Sequence, residues 1–98
     1  MRVLVIEDDL ELNKQLVEAL ENDHYSVDKA FDGEEGQFLG ETETYDAIIL
    51  DLGLPKLNGV SVLEAWRDLD AESPVKNVPV LVLTARNKWS AKGEGFSN

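Results

Sequence analysis

Arg2-Val3-Leu4-Val5-Ile6-Glu7-Asp8-Asp9 is the stretch that decides the fold: four apolar residues in unbroken succession, then three carboxylates. A short apolar run without polar alternation is the pattern of a strand buried on both faces, as in a parallel sheet. Working outward, Leu12, Leu16, Val17 and Leu20 recur at helical spacing, so this strand feeds a helix, with Asp9 expected as its cap. The same device appears again at Ala47 to Leu52, where Asp51 follows Ala47-Ile48-Ile49-Leu50, and a third apolar run spans Pro79 to Thr84.

The segments between these runs supply the remaining elements. Asn22-Asp23 breaks the first helix, and Tyr25 and Val27 alternate with polar neighbours as in a half-exposed edge strand. Asp32-Gly33-Glu34-Glu35 offers a capping residue with Glu at the reciprocal position. The helix it opens is weak on paper, because Gly36 and Gly40 each cost about 1 kcal/mol relative to alanine in a helix interior. Gly53-Leu54-Pro55-Lys56-Leu57-Asn58-Gly59 stops the strand before it, and Asn58 is expected to cap a third helix. Val62, Leu63, Trp66 and Leu69 form that helix's core face, and Ser73-Pro74 with Lys76-Asn77 are expected to end it. Residues 85–98 read as a frayed helix or tail.

The order βαβαβαβ implies an α/β, doubly wound parallel sheet with right-handed crossovers and helices on both faces. In such sheets ligands bind beyond the strand ends, where the winding direction reverses. If strand one lies between strands two and three, Glu7, Asp8 and Asp51 converge, and Thr84 stands beside Asp51. Two or three carboxylates with backbone carbonyls and waters form a hard-oxygen site that suits Mg²⁺. Crowded carboxylates repel without a cation; with one, a carboxylate can attack phosphorus.

Composition narrows the classes. The chain has 98 residues, enough for one small domain, and 43% of them are hydrophobic, which is globular rather than disordered. Twenty acidic against nine basic residues give a net charge of −11, which argues against direct nucleic-acid binding. Many of the acids, such as Glu18, Glu21 and Glu64, read as solvated helix faces. Cysteine is absent, excluding disulfides and thiolate metal sites. No run approaches a membrane span and no basic, apolar leader precedes the first strand, so no membrane partner and a cytoplasmic location are expected.

Three motifs in register now resemble a known family. Leu4-Val5-Ile6-Glu7-Asp8-Asp9, then Ile48-Ile49-Leu50-Asp51-Leu52-Gly53-Leu54-Pro55 with Asn58-Gly59, then Val80-Leu81-Val82-Leu83-Thr84-Ala85-Arg86 are similar to the receiver domain of two-component response regulators. The wording around Asp51 and Thr84, with Trp89, looks most like the OmpR/PhoB class, whose receivers precede a winged-helix DNA-binding domain. The resemblance implies the flavodoxin-like (CheY-like) fold with strand order 2-1-3-4-5. It implies Asp51 as phosphoacceptor, Asp8 as direct Mg²⁺ ligand, Glu7 as ligand through water and the Gly53 carbonyl as a further ligand. Thr84 would contact the phosphoryl group and act as a switch, and Ala85 would offer space and a backbone amide. A sensor histidine kinase would be the phosphoryl donor. Such a domain assists its own Mg²⁺-dependent phosphorylation and is not otherwise an enzyme.

Receivers continue into a fifth strand, opening with a phosphoryl-binding Lys-Pro, and a fifth helix. Residues 1–98 are therefore expected to be a receiver domain of about four strands, without that segment and without an effector domain; Lys56, Lys88 and Lys92 do not match the lysine's motif. On that reading helices one and three lack cover on one sheet face, and the strand-four edge invites a homodimer or segment-exchanged oligomer. DNA would be reached only through an effector domain outside this chain. A truncated receiver or pseudo-receiver, acting only as a protein-interaction module, is the alternative. A flavin binder is excluded because Glu7-Asp8-Asp9 would repel a phosphate. A haloacid-dehalogenase-type phosphatase would need a second acid where Gly53 stands. Trp66 and Trp89 read as packing residues and His24 as a loop residue.

Overall fold

A computed structural model describes residues 1–70 and 72–83. Its elements are β1 (Arg2–Ile6), α1 (Leu10–Asn22), β2 (Ser26–Ala30), α2 (Gly33–Thr42), β3 (Ala47–Asp51), α3 (Gly59–Arg67), a 3₁₀ turn (Pro74–Asn77) and β4 (Val80–Leu83). The strands pair in parallel in the order β2-β1-β3-β4, so β1 lies between β2 and β3 as the convergence of the carboxylates requires. Ile6 pairs with Leu50, and the chain leaves both strands on the same side of the sheet.

Side chains along β1 and β3 alternate between two cores, as the two-residue strand period dictates. Leu4, Ile6, Ile48 and Leu50 enter one core with Val62 and Trp66 of α3, and Leu39 of α2 packs against it. Val3, Val5 and Ile49 enter the other with Val17, flanked by Leu16 and Leu20 of α1. Helices α1 and α3 therefore lie on opposite faces. The expectation that they share one uncovered face is wrong, because the residue parity that sends Ile6 towards α3 sends Val5 towards α1.

The caps form as the residue types require. Asp9 accepts from Leu12 N at 3.1 Å, Asp32 from Glu35 N at 2.8 Å and Asn58 from Ser61 N at 2.9 Å. Helix α3 ends at Arg67, earlier than Leu69 suggested. Lys76 Nζ reaches back to the Arg67 and Leu69 carbonyls at 2.5 and 2.8 Å, satisfying acceptors at the helix end, and Pro74 opens the separate 3₁₀ turn.

Helix α2 forms despite its glycines because they are where it touches its neighbours. A Cβ at Gly36 would stand 2.7 Å from Ile6 Cδ1, and one at Gly40 would collide with the Trp66 ring. At the far end of β1, Arg2 fastens three segments. Its guanidinium lies 4.9 Å above the Tyr45 ring and donates to Asp28 at 2.8 Å, while its backbone N–H donates to Asp46 at 2.8 Å. The Tyr45 hydroxyl donates to Asp28 at 2.7 Å; burial, then this bond to a carboxylate, pushes its pKa up.

Candidate functional site

Glu7 and Asp51 are each the first residue after a pair of matched core positions, so strand register alone brings them to one end of the sheet. The chain turns immediately after Glu7, and that turn carries Asp8. Carboxylate oxygens of Glu7, Asp8 and Asp51 lie within 4.8 Å of one another. Glu7 and Asp51 are fully buried, whereas Asp8 is exposed. The pocket is thus more enclosed than an open crevice, and of the three acids Asp8 is the one presented to solvent.

Backbone amides orient two of the three. Asp9 N–H donates to Glu7 Oε2 at 2.8 Å, and Gly53 N–H donates to Asp51 Oδ1 at 3.1 Å. These are charge-assisted bonds, the stronger kind. The Asp51 end of the sheet is also held by its following loop. Gly59 N–H donates to Leu52 O at 2.9 Å, and a side chain at Gly59 would run into the Asp51 carbonyl. Glycine is required there for the close approach. Lys56 adopts φ 67°, with Leu57 N–H donating to Pro55 O at 2.7 Å, a three-residue turn. Lys56 Nζ lies 3.4 Å from Asp32 at the start of α2, which ties this loop to the neighbouring crossover.

Three carboxylates of this spacing fit a hard divalent cation. All donors are oxygen, and an ion such as Mg²⁺ takes one or two carboxylates and keeps its remaining ligands as water. Placing like charges together in a partly buried pocket is unfavourable unless a counter-charge is present. The site therefore has the chemistry of a pocket for a hard divalent cation.

Of the residues expected from the sequence, the structure brings Glu7, Asp8 and Asp51 together. It places Gly53 beside Asp51 as an amide donor. Thr84 and Ala85 lie outside the described residues. Sequence reasoning overlooked Asn13, which is 1% exposed and donates from Nδ2 to Glu7 O at 2.9 Å and Ala30 O at 3.3 Å. The available signal was its helical spacing, four before Val17 on the buried face of α1.

The acidic cluster thus lies beyond the carboxyl ends of the central strands of a doubly wound sheet, at its topological switch point. The family model for the response regulator receiver domain matches residues 3–97, and the chain belongs to that family. It is 42% identical over 96 residues to protein RcaC of Microchaete diplosiphon, covering 98% of this chain and 14% of RcaC. It is 40% identical over 96 residues to the transcriptional regulatory protein CiaR of Streptococcus pneumoniae, covering 98% of this chain and 40% of CiaR. The chain thus spans well under half the length of these relatives. Among solved structures, the receiver domain of the Francisella response regulator 1452 superposes with a TM-score of 0.77 at 34% identity, covering 97% of this chain and 74% of that one. The receiver domain of sensor histidine kinase PA1611 from Pseudomonas aeruginosa, with a magnesium ion coordinated in its active site cleft, gives 0.74 at 32% identity, covering 99% and 74%. The receiver fold expected from the motifs is the fold observed.

Among the described residues, no helix is long and apolar enough to cross a membrane.

Proposed function

We propose that this chain is the phosphoacceptor receiver of a two-component response regulator, taking a phosphoryl group from a histidine kinase onto Asp51. The observation that carries the reading is the convergence of Glu7, Asp8 and Asp51 within 4.8 Å at the end of β1 and β3. Asp8 and Asp51 would hold Mg²⁺ directly, Glu7 through water, with the Gly53 carbonyl as a backbone ligand. When bound, the cation neutralises charge on the phosphoryl oxygens during in-line transfer. The chain's own residues do the positioning. Gly53 N–H holds Asp51 Oδ1, Asp9 N–H holds Glu7 Oε2, and the exposed Asp8 marks the side from which ion and donor enter. In the transfer, the histidine nitrogen–phosphorus bond breaks as a bond from an Asp51 oxygen to phosphorus forms, leaving an acyl phosphate and a neutral imidazole.

Thr84 and Ala85 would contact the phosphoryl group and pass on its presence. In a longer parent protein, an effector domain would convert the signal into control of transcription through DNA, in keeping with the transcriptional regulators among the relatives. We assign the domain no turnover of a separate substrate, and a cytoplasmic setting follows from its kinase partner. Incubation with acetyl phosphate tests the reading. The chain should gain one phosphoryl group by mass in the presence of Mg²⁺, and neither Asp51→Asn nor chelated samples should. Equal labelling of Asp51→Asn would show the acceptor to be elsewhere, and no labelling at all would favour a pure interaction module.

A further inference from the structure

We infer that Asn13 is a positioning residue for the acidic pocket, holding the main chain of Glu7 so that its carboxylate meets those of Asp8 and Asp51. The inference rests on the cation-pocket reading above and assigns a role to a residue outside the acidic trio. The Asn13 amide lies on the first turns of α1 and bridges the ends of two strands. Its Nδ2 donates to Glu7 O, the residue after β1, and to Ala30 O, the last residue of β2. Ala30 O also accepts from Glu7 N at 3.0 Å, so one small group closes a three-way junction of β1, β2 and α1. Two carbonyl acceptors fix which end of the amide is nitrogen.

The other end of the same amide makes the case sharper. Asn13 Oδ1 is buried and has no hydrogen-bond partner. A buried acceptor left unpaired is unfavourable, and leucine, of nearly the same shape, would avoid it. What leucine cannot do is donate to Glu7 O. Hydrogen bonds thus hold Glu7 along its length: its N–H donates to Ala30 O, its carbonyl accepts from Asn13 and its carboxylate from Asp9 N–H. Releasing the Asn13 bond lets the β1–α1 turn relax and moves the Asp9 bond. Groups hydrogen-bonded directly to a metal ligand change metal affinity by about 10–100-fold when removed; Asn13 acts at one further remove, through the main chain of a residue that meets the ion through water, so its effect lies at or below the lower end of that range.

The test compares native chain, Asn13→Leu, Asn13→His, Val17→Ala and Asp8→Asn. Mn²⁺ binding is counted from the free-ion electron paramagnetic resonance signal, and exchange of the Asp9 amide is followed by NMR without metal. Asn13→Leu should weaken Mn²⁺ binding several-fold, by up to about tenfold, and speed Asp9 exchange. Asn13→His, whose Nδ1–H supplies one donor for Glu7 O, should recover part of both. Val17→Ala, which removes core packing from the same helix without touching Glu7, should lower the melting temperature yet bind like the native chain. Native-like binding and exchange in Asn13→Leu, or an equal loss in Val17→Ala, would overturn the inference. Should the leucine variant fail to fold, Asn13→Ser, whose side chain is one atom too short to reach Glu7 O, takes its place with the same expectations. Undiminished binding in Asp8→Asn would instead overturn the cation pocket, and Asp9 exchange would still decide whether Asn13 positions Glu7.

Discussion

His24 and Asp32 show how single residues near the element ends set stability and pH response. His24 sits one residue beyond the C-cap of α1 with φ 72°, its N–H donating to Glu21 O while Tyr25 N–H donates to Leu20 O. This is the Schellman arrangement, and it asks for glycine. A side chain in the left-handed region is strained by about 1–2 kcal/mol, partly offset by the lower unfolded-state entropy of histidine relative to glycine. His24→Gly should therefore raise stability by about 0.5–1 kcal/mol in urea denaturation. Asp32 works in the opposite sense. The Glu35 N–H holds its pKa below the ordinary carboxylate value, opposed by desolvation and assisted by Lys56. Because the folded state favours the ionised form, its contribution is complete above the unfolded pKa near 3.9 and is lost as pH falls through the lowered folded value. Asp32→Ala should cost about 1 kcal/mol at neutral pH through loss of the cap, and the gap between variant and native chain should narrow below about pH 3. A gap independent of pH would mean that the carboxylate charge contributes nothing.

At the scale of elements, α2 tests propensity against packing. On an exposed helix face, Gly→Ala would gain about 1 kcal/mol. At Gly36 and Gly40 the added methyl meets Ile6 and Trp66, both fully buried, and overpacking a core costs about 1–3 kcal/mol. Each substitution should lower the melting temperature, by roughly 5–10 °C for a domain of this size, and Gly40→Ala should also shift Trp fluorescence. These glycines mark the limit of what the sequence made legible. The apolar runs gave β1, β3 and β4 to within a residue or so, since a strand buried on both faces leaves little choice of residue. Asp9, Asp32 and Asn58 announced their caps for the same local reason. Helix α2 read as weak because propensity counts a glycine's entropy and cannot see the ring that needs the space. Helix α3 read too long because Leu69 fits the helical period, while the lysine that donates to its last carbonyls lies nine residues from Arg67. The spacing of Asn13 from Val17 put it on the buried face of α1, but its partner could not be read, because nothing in the sequence joins that amide to the carbonyl of Glu7. The acidic trio was legible because it depends only on which residues end the strands.

The whole molecule carries a net charge of −11, with three of its acids gathered at one end of the sheet. Two different effects of salt follow, and they can be separated. Monovalent salt screens self-repulsion over the whole surface, with a Debye length near 8 Å at about 0.15 M, and should raise stability smoothly without saturating at low concentration. A divalent cation held by the pocket binds the folded chain alone and adds a saturable gain, about 1.4 kcal/mol when its concentration is roughly ten times the dissociation constant. For a domain of this size that gain corresponds to a rise of about 5–10 °C in melting temperature. Thermal unfolding in MgCl₂ and in NaCl of matched ionic strength should therefore diverge, with MgCl₂ the more stabilising. In Asp8→Asn the two curves should draw together. That variant should also melt slightly higher than the native chain when no divalent ion is present, because one of three mutually repelling carboxylates is gone, a small gain because the charge of Asp8 is exposed to solvent. Identical responses to the two salts in the native chain would show that the acids act only through their summed charge, and the pocket would lose its claim to a specific ion.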